Sequence, residues 1–236
     1  MTVPLVEGPP GADAFAAAVE ALGSGSVVAV PTDTVYGLAV VPSLPDAVER
    51  LFSVKERPGD VPLPVLVASW QQVDAVAGHL DTAAERLAIR YWPGPLTLVV
   101  PRSAAFSADL GGPPSARATV GVRWPHHPVM ARLCRELGPL AVTSANRHGS
   151  PPSTTAGEVA AAFSGAELGV ILDGGTCDGT PSTVVECRVS ATRCVREGAI
   201  PWDEIAVLQG RSPSGGSAPA RSSSASSARG RGRGGR

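Results

Sequence analysis

A single lysine, Lys55, stands in a chain of 236 residues that uses arginine 19 times. An ammonium is a compact point charge suited to phosphate oxygens, whereas a guanidinium offers a fixed fork to a carboxylate or phosphate. A lysine at the end of a helix is also an ordinary solvated cation, well placed in the helix dipole. Its neighbours add a second reading. In Lys55-Glu56-Arg57-Pro58-Gly59 two cations lie two residues apart where Pro58 ends the helix, so both can project from an irregular segment toward one anion, as in a polyphosphate clamp.

Three further segments share one design, an apolar strand next to small hydroxyl or amide side chains. Val27–Val30 runs into PTDTVYG (31–37), Leu140–Val142 into Thr143-Ser144-Ala145-Asn146, and CDGTP (177–181) into Ser182-Thr183-Val184-Val185. Ligands of open α/β sheets bind beyond strand ends, where such groups converge; the same residue types also close turns and cap helices. Arg123 and Arg196 sit at strand ends too, in VGVRWP (120–125) and CVREG (194–198). They could reach solvent or pair with an acid such as Glu197; with Lys55 and Arg57 they would bring four cations to one anionic ligand. His126 and His127 are adjacent, cannot share a helix face, and read as a turn rather than as metal ligands. Trp92, in YWPGPLT (91–97), is expected in the core beside a rigid turn. The chain has no Walker loop, no G-x-G-x-x-G and no G-x-S-x-G, which counts against P-loop NTPases, dinucleotide enzymes and α/β-hydrolases.

The elements that must hold these residues alternate in type. Helical spacing covers 13–22, 46–54, 71–77, 82–91, 129–137, 155–163 and a short stretch after Pro201; strands are expected at 26–30, 63–67, 96–100, 119–122, 140–143, 169–172, 183–187 and 193–196. Interleaving without long gaps gives an α/β class with one mixed sheet.

The net charge of −1 conceals a split. Residues 211–236 contain six arginines and no acid, which leaves 14 basic against 21 acidic groups in the first 210 residues, a body at −7 and a tail at +6. The tail consists of Arg, Ser, Gly, Pro and Ala, with nothing large and apolar to offset ordering entropy, and is expected to be disordered. No apolar run approaches the roughly 20 residues that span a bilayer, and the first residues lack a signal-peptide pattern. A cytoplasmic protein is expected, with Cys134, Cys177, Cys187 and Cys194 as reduced, buried hydrophobes.

Taken in order, PTDTVYGL (31–38), KERP (55–58), WPGPLTLVVP (92–101), VGVRWPHHP (120–128), TSAN (143–146), PSTVVE (181–186) and VREGAI (195–200) resemble the YrdC-type threonylcarbamoyl-AMP synthases in their single-domain form. The match spans about residues 25–205. It implies one YrdC-like α/β domain over 1–210, a twisted mixed sheet flanked by helices, and a concave basic cavity. It implies a nucleotidyltransferase that makes threonylcarbamoyl-AMP and pyrophosphate from L-threonine, bicarbonate and ATP, with Mg²⁺ accompanying the ATP and no protein metal site. A threonylcarbamoyl transferase complex would then carry the group to tRNA. By the resemblance Lys55 and Arg57 are the catalytic phosphate-holding cations, expected to lie outside the core. Thr119, Asn146, Thr154 and Arg196 join them on ATP. Thr34, Arg123, Ser144 and Ser182 hold the threonine, Arg123 pairing its carboxylate. Two rivals remain: a YciO-like paralogue with another acceptor, Leu66 standing where many members carry histidine, and a non-catalytic RNA-binding module in which the Arg/Gly tail contacts RNA.

Overall fold

Alternating helical and β-branched runs become alternating elements in the computed structural model, which describes residues 5–6, 11–44, 46–56, 61–147, 149–188 and 191–209. In chain order these are β1 (Leu5–Val6), α1 (Ala12–Gly23), β2 (Val28–Val30), β3 (Gly37–Val40), α2 (Ala47–Lys55), β4 (Val65–Leu66), α3 (Trp70–Ala77), α4 (Thr82–Tyr91), β5 (Leu96–Pro101), β6 (Thr119–Arg123), α5 (Pro128–Leu137), β7 (Leu140–Ser144), α6 (Ala156–Ala162), β8 (Val170–Leu172), β9 (Thr183–Arg188), β10 (Ala191–Arg196) and α7 (Trp202–Leu208). Ser69, Asp81 and Thr155 start α3, α4 and α6 by accepting the backbone N–H three residues on.

The strands form one mixed sheet in the order β1-β8-β2-β3-β7-β4-β6-β5-β9-β10. Pairs β1–β8, β2–β8, β4–β6 and β5–β9 are parallel, and the rest are antiparallel. Two strands depart from expectation. The run 63–67 pairs as a strand only at Val65–Leu66, because the flanking Pro62 and Pro64 have no N–H to give to a ladder. Residues 37–40, of which only Gly37 has an expected place, in the loop 31–37, form β3, which pairs Val30 with Gly37 across the turn and Gly37 with Ser144 on its other side. A Cβ on Gly37 would stand 2.5 Å from Val142 Cγ1, so only glycine lets β3 lie this close to β7.

The two faces of the sheet are covered unequally. On one face, α2, α3, α4, α6 and α7 bury Leu51, Val76, Leu87, Val159 and Ile205 against Leu38, Val65, Leu98, Val122 and Val185, which reaches across most of the sheet. On the other face only α1 and α5 pack, with Phe15, Leu22, Met130 and Leu133 against Val28, Val30, Leu140 and Val170. Side chains alternate across a strand, so the outward positions of β6, β5 and β9 on this second face are left without a helix, and a cavity occupies that place.

Candidate functional site

The cavity has a volume of about 450 Å³ and is lined by alternate residues of the uncovered strands: Pro64 and Leu66, Thr97 and Val99, Thr119, Gly121 and Arg123, Val142 and Ser144, with Val184. Loops close it with Thr32, Thr34, Val61, Pro152, Pro181 and Ser182, and the end of β10 adds Arg196. The described lining includes two arginines and no carboxylate. The lining combines apolar side chains (Val61, Pro64, Val99, Val184, Val195) with the hydroxyls of Thr32, Thr34, Thr97, Thr119, Thr143, Ser144 and Ser182.

Arg123 ends β6 and is 6% exposed. Its guanidinium is held from three sides: Nε donates to the Gly94 carbonyl at 3.1 Å, Nη1 to Thr34 Oγ1 at 2.9 Å, and Nη2 to Asp33 Oδ1 at 2.5 Å. Burial pulls its pKa down, and the Asp33 charge opposes that pull. Thr34 is oriented in turn by Thr32, whose Oγ1 lies 3.0 Å from Thr34 Oγ1 and accepts the amides of Thr34 and Val35. The loop before β9 crosses the same place, with the Gly179 amide donating to the Thr34 carbonyl at 2.7 Å. Tyr36 anchors that loop: its buried hydroxyl donates to the Gly175 carbonyl at 2.9 Å and accepts the Gly174 amide, and burial pushes its pKa up to about 12. The Gly94 carbonyl belongs to the turn after the cis Trp92–Pro93 bond; the Gly94 amide donates to the Trp124 carbonyl, and Trp70 packs against both Trp92 and Trp124 with centroids 6.2 and 6.1 Å away. Beside this cluster, His127 Nδ1 is buried without a hydrogen-bond partner, and burial lowers the ring's pKa.

Ser182 lies across the cavity. Its Oγ is 2.9 Å from Thr97 Oγ1, and Arg196 Nη2 donates to the Ser182 carbonyl at 2.8 Å and to Oγ at 3.3 Å. Arg196 is exposed, and burial of part of its surface lowers its pKa. The following turn is pressed onto the strand entry: a Cβ on Gly198 would fall 2.2 Å from the Pro181 carbonyl oxygen, and the Gly198 amide donates to Thr183 Oγ1 at 3.0 Å. Gly198 therefore keeps Arg196 next to Ser182.

Lys55 departs from expectation. Instead of projecting outside the core it is the last residue of α2 and is 4% exposed. Its Nζ donates to Thr143 Oγ1 (3.1 Å), Ser144 O (2.5 Å), Ser144 Oγ (3.2 Å) and Asn146 Oδ1 (3.2 Å). It thus stands behind the cavity wall that Thr143 and Ser144 form, where four oxygens offset the cost of burying the ammonium. Asn146 is locked by Lys55, by Ser144 Oγ at 2.6 Å and by donating to the Arg147 and Ser150 carbonyls.

Of the residues singled out in the sequence, Thr34, Arg123, Ser144, Ser182, Thr119 and Arg196 line the cavity together, and Lys55 and Asn146 stand one hydrogen bond behind it. Thr154 is outside the lining, its amide and hydroxyl both donating to Glu158 Oε2 at the start of α6. Arg57 lies outside the described residues, as does the tail. Sequence reasoning passed over Asp33 and Thr97. Thr97 had a signal, being the one polar residue in Leu96-Thr97-Leu98-Val99-Val100, at the position that alternation sends to the uncovered face. The cysteines are free thiols; Cys134, Cys177 and Cys187 are buried, with burial raising Cys134 and Cys187 to about 12, whereas Cys194, expected buried, is only partly so on edge strand β10. A second hollow, lined by Leu44, Asp46, Glu49, Phe52, Phe106 and Asp109, holds none of the expected residues. Among the described residues no helix is long and apolar enough to cross a membrane.

A cavity of this kind contains no activated nucleophile; it can hold a small carboxylate at Arg123 and a phosphate-bearing group near Arg196, and orient one against the other. The comparisons with known proteins agree in kind. The family model Sua5_yciO_yrdC, described as "Telomere recombination", matches residues 20–198. The chain is 41% identical over 184 residues to a threonylcarbamoyl-AMP synthase of Pyrococcus abyssi, covering 77% of this chain and 53% of that protein. It is 41% identical over 159 residues to one of Vibrio vulnificus, covering 66% of this chain and 83% of that protein. The crystal structure of P. abyssi Sua5 complexed with L-threonine superposes with a TM-score of 0.78 at 35% identity, over 89% of this chain and 62% of that one. The chain thus spans about half to three-fifths of the P. abyssi protein and most of the Vibrio one. The chain belongs to the Sua5/YciO/YrdC family.

Proposed function

We propose that the protein is an L-threonylcarbamoyladenylate synthase, forming threonylcarbamoyl-AMP and pyrophosphate from L-threonine, bicarbonate and ATP. The observation that carries this reading is a single cavity that gathers the fixed fork of Arg123, held by Thr34, together with Arg196, held by Ser182, and the hydroxyls of Ser144 and Ser182. L-Threonine would sit with its carboxylate on Arg123 and its remaining polar groups among those hydroxyls. ATP would lie along the side of Arg196 and Thr119, with Lys55, Asn146 and Arg57 acting on its phosphates and Thr154 at the periphery. Lys55 acts through Ser144 and Asn146 unless a side chain shifts, since it stands behind both.

In this reading the threonine amine adds to bicarbonate or carbon dioxide to give a carbamate, and a carbamate oxygen then displaces pyrophosphate from the α-phosphate. The protein's contribution is alignment and neutralisation of phosphate charge. Mg²⁺ enters as part of the MgATP substrate: no group of three His, Cys, Asp or Glu side chains among the described residues could hold a metal, and the described cavity lining has no carboxylate, so the fit is to an ion carried on the phosphates. The labile product favours direct handover to a threonylcarbamoyl transferase complex in the cytoplasm, and the tail would add a weak contact with RNA. The test is pyrophosphate release by the purified protein with ATP, Mg²⁺ and bicarbonate, supplied with L-threonine, L-serine or no amino acid. Threonine-dependent release is expected; release that ignores the amino acid, or none at all, overturns the reading.

A further inference from the structure

Arg123 and Arg196 face one cavity but differ in their partners. Arg123 carries a resident carboxylate, Asp33, at 2.5 Å, with both side chains largely buried. Arg196 donates to the two oxygens of Ser182 and has no acidic partner among the described residues. Asp33 lies between Thr32 and Thr34, which line the cavity while Asp33 itself does not, so it reaches the guanidinium from behind the wall.

We propose that Asp33 sorts the anions entering the cavity: by neutralising Arg123 it reserves that guanidinium for the carboxylate of a zwitterionic amino acid and leaves polyphosphates to Arg196. The proposal rests on the synthase reading, in which one cavity must take an amino acid and a triphosphate at once. A guanidinium has five N–H donors. Three of these are committed to Gly94, Thr34 and Asp33, which leaves one on each terminal nitrogen, enough for a bidentate carboxylate. A zwitterion adds no net charge to the neutral Arg123–Asp33 pair. A polyphosphate placed on the same fork would bring several negative charges up against Asp33, a repulsion that low-dielectric surroundings enlarge. Arg196, held against Ser182, lines the same cavity as Arg123. Without Asp33 the two cations would therefore merge into one extended anion site, in which a triphosphate outcompetes a single carboxylate. Selection against the wrong anion is built as repulsion, and Asp33 is a positioning residue that acts through Arg123.

Inorganic pyrophosphate is the probe, titrated calorimetrically into wild type, R123Q, D33N, D33E and the D33N/R123Q double variant. Asn keeps an acceptor for Nη2 and removes the charge. The expected pattern is that R123Q leaves pyrophosphate affinity within about twofold of wild type, D33N tightens it by about tenfold or more, D33E does not, and the double variant loses the gain. Pyrophosphate should also become competitive with L-threonine in D33N. A folded D33N with wild-type pyrophosphate affinity overturns the proposal, as does tightening that survives loss of Arg123; a merely structural Asp33 would weaken both ligands together. Should D33N not fold, the wild type still decides: between about 50 and about 500 mM salt, L-threonine affinity should change less than about twofold while pyrophosphate affinity falls at least tenfold, and an equally steep threonine dependence refutes the sorting. The pyrophosphate arm contains no amino acid, so its pattern can hold while threonine-dependent turnover fails, and the two readings fall separately.

Discussion

The half of the sheet built on β8, β2 and β3 has helices on both faces; the half built on β6, β5 and β9 has them on one. In the first half the strands are apolar at every position, as in Val28-Ala29-Val30 and Val170-Ile171-Leu172, because each side chain meets a packed layer. In the second, every other position is released from packing, and those positions carry Thr97, Thr119, Gly121 and Arg123. One architecture thus yields a core and a binding surface from the same ladder. The difference lies in where α1 and α5 stop.

Substitutions should separate the two halves. The largest effect is expected from R123Q, a loss of about a thousandfold or more in threonine-dependent kcat/KM, since a bidentate charged contact is removed and Asp33 is left buried without its partner. A threonine KM within about threefold of wild type would break the assignment of the open half. L133A, in the doubly covered half, should lower unfolding stability by about 2–5 kcal/mol by urea titration while leaving KM values unchanged. If its KM for threonine shifts with stability, the halves are not independent. K55A crosses the boundary: pyrophosphate release lowered by about a hundredfold together with about 1–3 kcal/mol of lost stability, because the oxygens of Thr143, Ser144 and Asn146 lose a donor. Loss of activity at unchanged stability would return Lys55 to a solvated position. T97V should reduce kcat/KM by only about three- to tenfold, with T97S restoring it, since one neutral hydroxyl pair with Ser182 is involved. Deleting residues 211–236 should leave adenylate formation within about twofold of wild type and only weaken RNA association, measured by filter binding.

Much of this arrangement was legible in the sequence. The helix over 82–91 was readable because a capping Asp81 precedes its apolar period, and the clusters around Ser144 and Ser182 were readable because hydroxyls adjoin apolar, β-branched runs. Strand β3 was not, since Gly-Leu-Ala-Val has little β-branched content and its place depends on how closely a glycine lets it approach β7. The burial of Lys55 was not legible either: a lysine before Glu-Arg-Pro looks solvated, and only the return of β7 more than eighty residues later supplies the oxygens that hold it. Asp33 was hidden for the same reason, its partner Arg123 being ninety positions away.

The three indoles gathered behind Arg123 give the protein a built-in optical probe. Trp124 adjoins Arg123 in the chain and is hydrogen-bonded to Gly94, which also receives Arg123 Nε, while Trp70 and Trp92 complete the stack. The remaining tryptophan, Trp202, sits apart on α7. Intrinsic emission is therefore weighted toward the surroundings of Arg123. Quenching or a spectral shift on filling the Arg123 fork would let occupancy be followed in stopped flow without a label, on a chain whose described cavity lining itself holds no indole.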